Sequence, residues 1–361
     1  MTGTGAGRRP VVAVSPLPPM LEPLAELFER AGCEVRRLTG DRDGDRDRLD
    51  DVDALAGIFT ASPVTAEVLQ RAPRLRVVTS PIIGTETIDV AACTERAVVV
   101  AFGATPENYE GVAEAVVMLT AALRKRLVQK MAAAVDGSWR PASGVGNMVR
   151  GATVGLVGYG AIGRATAARF AGWGCRLVTF DPYVDPAVPR ADGVAPVGSL
   201  EELLAAADVV SLMVTLTEET RGLIDAAALA AMKPGAVLIN TARGPVVDED
   251  ALLDALDRGH LGGAAIDTWA SEGPGTSSAL RGHPLVIATG HNVGHSEELY
   301  AGHPPAAVDN TLRALRAEPP RYVRNPEVLD RWRARAAALQ TADPIATSPV
   351  TPTTSAAQEQ P

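Results

Sequence analysis

A glycine-rich turn between two apolar stretches is the feature that most restricts how this 361-residue chain can fold. Residues 153–157 read TVGLV, and Gly158, Gly160 and Gly163 follow at the start of an amphipathic stretch. The first glycine permits a tight turn, the second lets the backbone approach a bound group, and the third lets a helix pack closely on the strand. Because a helix that begins there directs free N–H groups at an anion, the pattern predicts a site for a dinucleotide pyrophosphate.

An acidic residue follows at the end of the next predicted strand. Asp181 lies 18 residues beyond Gly163, in the stretch RLVTFDPY. Its carboxylate can accept hydrogen bonds from a ribose diol and would repel a 2′-phosphate. Pro182 and Tyr183, which come next, supply no arginine for that phosphate. The sequence therefore predicts NAD as the cofactor and disfavours NADP.

Two series of apolar runs alternating with amphipathic segments make up most of the chain. The first series extends from Val11 to about Val100, and the second begins at Gly151 with six apolar runs typical of buried strands. Residues 108–130, between the two, have helical spacing and predict one long buried helix. Since strands that alternate with helices form parallel sheets, we expect an α/β protein with two doubly wound parallel-sheet domains.

Composition and charge limit the classes of partner. The net charge is −9 and the longest basic run is Arg124–Arg126, so neither nucleic acid nor a membrane is an expected partner. No window approaches the length of a membrane span and the first residues lack an apolar core, which predicts a cytoplasmic protein.

Three cysteines without a CxxC pair predict reduced thiols, and no metal site is expected. The acidic stretch 41–51 lacks calcium-loop spacing and favours a surface turn.

Three polar residues follow predicted strands of the second series and suit the reduction of a 2-oxo acid. They are Arg243, Glu272 and His291. A guanidinium can hold a substrate carboxylate, and an imidazolium can donate a proton to a carbonyl oxygen as hydride arrives. A carboxylate beside the imidazole favours its charged form and fixes its orientation. Each residue taken alone also has an ordinary structural interpretation, and the functional one depends on their occurring together after a nucleotide turn.

The chain resembles the D-isomer-specific 2-hydroxyacid dehydrogenase family over about residues 55–320. The resemblance rests on a combination of motifs, VGLVGYGAIGR, TLTEETRGLID, MKPGAVLINTARGPVVDEDAL, GAAIDTW and TGHNVG. It implies a Rossmann nucleotide domain at residues 109–294, inserted into a flavodoxin-like substrate domain made of residues 1–108 and a closing helix within 295–335. Residues 336–361, rich in Pro, Thr and Ser, are expected to be a disordered tail.

The resemblance also implies roles for individual residues. Arg243, Glu272 and His291 correspond to the catalytic triad, with His291 as the acid and base. The peptide N–H groups of Ile82, Ile83 and Gly84, with Arg243, are expected to bind the substrate carboxylate. A homodimer is expected. The expected cofactor contacts are Gly158, Gly160, Ala161, Ile162, Gly163, Asp181, Thr241, Ala242, Asp267 and Gly294.

Departures from the family pattern keep alternatives open. Gly290 stands where a proline usually precedes the catalytic histidine, and residues 60–63 lack the arginine that phosphoglycerate enzymes place against the substrate phosphate. We expect an NAD-dependent oxidoreductase that interconverts a small 2-oxo acid and a D-2-hydroxy acid. A phosphite dehydrogenase keeps the same triad and is the alternative enzyme. An NAD-sensing corepressor is the alternative from another class.

Overall fold

The computed structural model describes residues 7–41, 44–45, 48–140 and 142–346. The chain forms two compact units, Met1–Thr105 with Glu297–Pro361, and Pro106–Ser296. Each unit is built on its own parallel sheet covered by helices, with buried apolar clusters of its own. The predicted class of two doubly wound α/β domains is confirmed.

The first unit has a five-stranded sheet in which all the strands are parallel, in the order β2-β1-β3-β4-β5. This is the strand order of flavodoxin-like folds. The strands are β1 Val11–Val14, β2 Glu34–Arg37, β3 Ala54–Ala56, β4 Val77–Thr79 and β5 Val99–Ala101. The helices are α1 Pro23–Arg30, α2 Ala66–Arg71, α3 Val90–Glu95, α11 Glu297–Leu315 and α12 Leu329–Ala342.

The end of the described chain differs from the sequence-based expectation. Residues 336–342 belong to α12, and Ile345 is buried and pairs with Arg8, so the prediction of disorder from residue 336 was wrong up to residue 346. Trp332 explains the order, because its ring is fully buried and its Nε1–H donates to the carbonyl oxygen of Arg76 at 3.0 Å. The rest of the predicted tail, residues 347–361, lies outside the described residues.

The second unit has a seven-stranded parallel sheet in the order β12-β11-β10-β9-β6-β7-β8. Counted from β6, this is the Rossmann order with one strand added at an edge. The sequence predicted six strands and missed the short β8. The strands are β6 Thr153–Val157, β7 Arg176–Phe180, β8 Ala195–Pro196, β9 Val209–Leu212, β10 Val237–Asn240, β11 Gly263–Ile266 and β12 Val286–Ala288.

The helices of this unit include the long helix expected at 108–130, which is divided in two. Arg126 adopts a left-handed conformation with φ of 52° and separates the two parts. The helices are α4 Pro106–Arg124, α5 Leu127–Asp136, α6 Ala161–Arg169, α7 Ala187–Ala191, α8 Leu200–Ala206, α9 Ala226–Ala231 and α10 Glu249–Asp257.

The acidic stretch 41–51 is described only in part. Asp45 is buried, and its carboxylate accepts hydrogen bonds from the backbone N–H groups of Thr39 and Gly40 at 2.9–3.0 Å. Within the described ranges no group of three or more His, Cys, Asp or Glu side chains could hold a metal ion. None of the helices in those ranges combines the length and apolar character needed to cross a bilayer.

Candidate active site

The glycine turn joins β6 to α6, and each of its glycines has a distinct steric environment. Gly158 has φ of 99°, and a Cβ there would lie 2.8 Å from the carbonyl oxygen of Met213. A Cβ on Gly163 would lie 2.6 Å from the oxygen of Gly158, so this glycine lets α6 approach the turn. A Cβ on Gly160 would meet nothing within 4 Å. Contacts within the protein therefore leave no room for a side chain at Gly158 or Gly163. Gly160, in contrast, borders open space.

The start of α6 can receive an anion. Gly160 is the N-cap residue and provides no side-chain hydrogen bond to the first turn, which begins with Ala161 and Ile162. The N–H groups of a first helical turn have no partner within the helix. Because Gly160 leaves the space beside them open, these groups can bind a phosphate oxygen there.

Asp181 lies at the end of β7, next to the glycine turn. One carboxylate oxygen accepts the Tyr159 N–H at 2.8 Å, and the other accepts the Tyr183 N–H at 2.9 Å. Two fixed backbone donors therefore hold this carboxylate in one orientation, while each oxygen keeps a lone pair for a ribose hydroxyl. The hydroxyl of Tyr183 donates to Glu219, a second acid near the ribose position that no sequence motif predicted.

The loop after β10 carries Arg243 and two of the predicted cofactor residues. Asn240, which is buried, accepts the Ala242 N–H at 3.1 Å and donates to the Arg243 carbonyl at 3.0 Å. This amide fixes the backbone on both sides, and Arg243 Nη1 donates to the Ala242 carbonyl at 2.7 Å. The Thr241 hydroxyl is buried without a hydrogen-bond partner. A buried hydroxyl of this kind is a group that a bound ligand can satisfy.

Glu272 and His291 are brought together by the structure. The imidazole Nδ1 lies 2.8 Å from Oε2 and 3.1 Å from Oε1 of the carboxylate. Trp269 supports both residues, because its backbone N–H donates to Glu272 Oε1 at 3.1 Å and its Nε1–H donates to the carbonyl of Thr289 at 2.8 Å. About two fifths of each of the two paired side chains is exposed. The carboxylate thus orients the ring so that Nε2 is available to a substrate.

Asp267, at the end of β11, fixes the loop that carries His291. Its Oδ1 accepts the Thr289 hydroxyl at 2.6 Å and the backbone N–H groups of Asn292 and Val293 at 2.9 and 3.1 Å. Its backbone carbonyl accepts the His291 N–H at 2.7 Å. The loop holds His291 in a left-handed conformation with φ of 57°, which costs energy for a residue with a Cβ. These contacts compensate for the cost.

Gly294 has a packing role in the structure. It is buried, and a Cβ there would lie 2.7 Å from Cγ2 of Val112 on α4. A Cβ on Gly111 would in turn lie 2.4 Å from the Gly294 carbonyl oxygen. The two glycines allow close contact between α4 and the loop after His291. This packing accounts for the glycine at position 294 without a contact to the cofactor.

A cavity of about 460 Å³ lies beside the paired side chains. Its lining includes Glu272 and His291 together with Trp269, Arg281 and Gly290. Arg281 stacks over the ring of Trp269 at 4.6 Å. Burial lowers the pKa of the neighbouring His295, and the charge of His291 lowers it further while Asp267 opposes the change. The lowered pKa disfavours the protonated form of His295.

The loop after β4 in the first unit contains the predicted carboxylate-binding residues. Ser80 Oγ lies 2.8 Å from the Gly84 carbonyl and 3.1 Å from the Ile82 carbonyl, and the Ile82 N–H reaches this hydroxyl at 3.4 Å. The peptide N–H groups of Ile83 and Gly84 donate to no atom of the described residues. The loop therefore offers two adjacent donors, while the Ile82 N–H already has a weak partner.

The second unit has the features that a dinucleotide site requires. Gly160 leaves space at a helix start, and Asp181 presents a fixed carboxylate. Thr241 has an unsatisfied buried hydroxyl, and Asp267 keeps Oδ2 free of partners among the described residues. These groups match the phosphate, ribose and amide chemistry of a nicotinamide dinucleotide, so the residues present fit the predicted cofactor.

Comparisons with known proteins agree with this geometry. Residues 117–293 match the family described as "D-isomer specific 2-hydroxyacid dehydrogenase, NAD binding domain". The D-3-phosphoglycerate dehydrogenase of Mycobacterium tuberculosis is 40% identical over 259 residues, which are 72% of this chain and 48% of that relative. The chain therefore spans about half the length of the D-3-phosphoglycerate dehydrogenase that it matches.

Two further proteins match over most of their own length. The (S)-sulfolactate dehydrogenase of Chromohalobacter salexigens is 41% identical over 252 residues, 70% of this chain and 81% of that protein. The solved holo structure of D-mandelate dehydrogenase from Rhodotorula graminis has a TM-score of 0.77 at 29% identity, covering 88% of this chain and 97% of that one. The similarity thus includes both sequence and fold.

Proposed function

Because this chain belongs to the D-isomer-specific 2-hydroxyacid dehydrogenase family, we propose that it is an NAD-dependent enzyme that interconverts a small 2-oxo acid and a D-2-hydroxy acid. The single observation that carries this proposal is the pair formed by His291 and Glu272, with Nδ1 and Oε2 at 2.8 Å. The carboxylate fixes the orientation of the imidazole. The opposite ring nitrogen, Nε2, is then free to hold a proton for a substrate oxygen.

In the reducing direction, NADH supplies the hydride when it is bound. His291 donates the Nε2 proton to the carbonyl oxygen, which becomes the hydroxyl of the product, and takes a proton from solvent before the next cycle. Arg243 binds the substrate carboxylate and polarises the carbonyl by its positive charge. In the reverse direction His291 accepts the hydroxyl proton.

The first unit contributes to carboxylate binding in this proposal. The N–H groups of Ile83 and Gly84 are adjacent and unpartnered within the described residues, which suits the two oxygens of a carboxylate. Ile82 is the weakest of the three predicted donors because its N–H already reaches Ser80 Oγ. For the cofactor, we propose that the start of α6 binds the pyrophosphate and Asp181 the ribose. The nicotinamide amide is assigned to Asp267 Oδ2.

The test is the disappearance of NADH absorbance with a panel of 2-oxo acids, namely glyoxylate, pyruvate, hydroxypyruvate, phenylpyruvate, 2-oxoglutarate and phosphonopyruvate. We expect at least one acid to be reduced and His291→Gln to lower kcat by about 10³-fold or more, since general acid catalysis contributes 10²–10⁴-fold. Glu272→Gln should lower kcat less, because the proton donor remains. The matched control is His283→Gln, which changes a histidine paired with Asp257 in the same unit.

Other outcomes would redirect the assignment. Turnover that is unaffected by His291→Gln would contradict the role of the pair. If NADH binds but no acid reacts, oxidation of phosphite and capture of a protein partner become the functions to test.

We further propose that the chain forms a homodimer in the cytoplasm. Seven of the nine large hydrophobic side chains that the structure describes as exposed lie between residues 118 and 148. An apolar surface of this kind marks an interaction site, and a second copy is the partner that the family resemblance implies. The three cysteines are free, as in a reducing compartment.

A further inference from the structure

Arg324 lies beside the substrate loop of the first unit, defined as residues 80–85. Its Nε donates to the hydroxyl of Thr85 at 3.1 Å, and its guanidinium carbon lies 5.2 Å from the ring centroid of Phe102. Thr85 directly follows Gly84, which carries one of the two unpartnered N–H groups. The guanidinium is therefore held within one residue of the proposed carboxylate donors.

The backbone around Arg324 is fixed, so the position of the side chain is defined by the fold. The Arg324 N–H donates to the Val100 carbonyl at 2.8 Å, and the Phe102 N–H donates to the Tyr322 carbonyl at 3.3 Å, which adds a short antiparallel pairing to the edge of β5. Asn325 is fully buried and accepts the Val100 N–H at 2.9 Å. A residue anchored in this way loses little further entropy when it binds a ligand.

The substrate loop is equally constrained on its other side. The Gly103 N–H donates to the Ile82 carbonyl at 2.9 Å, and a Cβ on Gly103 would lie 2.0 Å from the Pro81 carbonyl oxygen. The loop and the strand end after β5 are thus packed backbone to backbone. Arg324 and the loop donors keep a fixed spacing within this unit.

The charge of Arg324 has no carboxylate partner in the part of the chain that the structure describes. Arg8 and Arg36, which are also half-buried in this unit, pair with Asp53 and Asp51. The Arg324 side chain donates to one neutral hydroxyl and lies over one aromatic ring, and its two Nη groups donate to no oxygen of the described residues. Four of the five guanidinium N–H bonds are therefore available in a half-buried position, where an anion with two oxygens binds best.

We propose that Arg324 binds a second anionic group at the far end of the substrate, so that the preferred 2-oxo acid carries two anionic groups. The inference rests on the proposed function, in which the loop N–H groups bind the 2-oxo acid carboxylate. The second group is a carboxylate, a sulfonate or a phosphonate, which share paired oxyanions that match the guanidinium fork. Arg324 supplies this charge from the C-terminal segment, whereas residues 60–63 contain no arginine.

The experiment compares NADH-dependent reduction of pyruvate, which has one anionic group, with that of oxaloacetate, sulfopyruvate and phosphonopyruvate. We expect the wild-type protein to have the highest kcat/KM for one of the latter three, which identifies the second group. Arg324→Gln should lower that kcat/KM by about 10- to 100-fold, mainly through KM, because a hydrogen bond to a charged group contributes about 1.5–3 kcal/mol. The value for pyruvate should change by less than about threefold.

Three further variants separate binding from folding. Arg324→Lys keeps the charge without the fork and should recover part of the loss. Thr85→Val keeps the guanidinium and should retain the preference for two anionic groups. Arg321→Gln removes a nearby arginine that pairs with Asp309 at the surface and should have no effect.

The inference and the proposed function fail in different ways. If the wild-type protein prefers pyruvate, or if Arg324→Gln lowers kcat/KM equally for all four acids, Arg324 does not select the substrate, although the dehydrogenase assignment stands. If Arg324→Gln does not fold, an Arg324→Lys variant with an unchanged preference ratio would overturn the inference. If the wild-type protein reduces none of the four acids or the earlier panel, the proposed function itself is wrong.

Discussion

At the scale of single residues, Asp181 beside the glycine turn and Glu219 beside Tyr183 should decide which cofactor is used. Asp181 is held by the N–H groups of Tyr159 and Tyr183, and Glu219 accepts the Tyr183 hydroxyl. Asp181→Ala removes an acceptor for ribose and a charge that repels a 2′-phosphate. We expect kcat/KM for NADH to fall by about 10- to 100-fold and the ratio of NADPH to NADH activity to rise.

The contribution of Glu219 is measured in the same assay. Asp181→Ala combined with Glu219→Gln should raise the NADPH preference further, because the second carboxylate no longer repels the phosphate. Asp185→Ala is the control, since Asp185 is exposed and its carboxylate accepts the Ala187 N–H two residues ahead. A preference for NADH that survives both substitutions would show that these acids do not select the cofactor.

The candidate site residues that follow strands could be predicted from the sequence, but the hydrogen bonds that hold them in place could not. Glu272 and His291 were expected to be neighbours because parallel strands end at one edge of a sheet, and the structure places them in contact. Asn240, Trp269 and Thr289 were missed. Their hydrogen bonds depend on loop conformations, and an amide, an indole and a hydroxyl in a sequence do not indicate which backbone group they will meet. The signal available was their position at the end of β10 and within three residues after β11 and β12.

At the scale of secondary structure elements, Gly160 and Gly163 provide a matched pair for separating cofactor binding from folding. A Cβ on Gly163 would lie 2.6 Å from a backbone oxygen, so Gly163→Ala should push α6 away from the turn and cost about 1–3 kcal/mol. A Cβ on Gly160 meets only open space, so Gly160→Ala should lower the melting temperature by only about 2–4 °C, the cost of replacing glycine by the poorer N-cap residue alanine. It should nevertheless weaken NADH binding by about tenfold or more, because the methyl group occupies the space beside the helix start.

Thermal unfolding without cofactor and NADH fluorescence titration measure the two effects separately. Equal melting temperatures for both variants would contradict the steric assignment. Unchanged NADH affinity in Gly160→Ala would contradict the assignment of the pyrophosphate to this turn. Gly172→Ala is unsuitable as a control, because Gly172 has φ of 82° and alanine would be strained there.

Buried strands could be predicted well, whereas edges and the last helix could not. Strands such as β6 and β10 are continuous apolar runs, which typify parallel strands covered on both faces. In contrast, β2 reads EVRR and β8 reads AP, so their pairing comes from neighbouring backbone and leaves no hydrophobic pattern. Helix α12 is rich in arginine and buries mainly Trp332 and Ala336. Its order depends on a few tertiary contacts, such as the Trp332 bond to Arg76, which periodicity does not reveal.

At the scale of the whole molecule, the division into two units follows from alternation of strands and helices on each side of a long helical stretch. The pattern predicts two sheets, and the structure has sheets of five and seven strands. The residues from Glu297 onward return to the first unit. The family resemblance implied this return, whereas the composition of the chain did not. Such a return is a property of chain topology, and an amphipathic helix such as α11 would fit either sheet.

The exposed apolar side chains between residues 118 and 148 predict the assembly of the whole protein. Leu127, Met131 and Val135 follow each other at intervals of four on α5, and Trp139 is 82% exposed just beyond it. Spacing of this kind places the three α5 side chains on one face, which a second copy would cover. Light scattering after gel filtration should give twice 37.5 kDa for the wild-type protein.

Substituting both Met131 and Val135 with glutamate should shift the mass to 37.5 kDa, because charges at the centre of an apolar interface are left without partners. Ala187→Glu adds one negative charge at an exposed position on α7 and should leave the mass unchanged. Since the substituted side chains are exposed in the single chain, the double variant should keep its fold and its ability to bind NADH. A wild-type protein that elutes at 37.5 kDa at micromolar concentration would mean that the apolar face serves another partner, and a double variant that keeps twice that mass would place the dimer contact elsewhere.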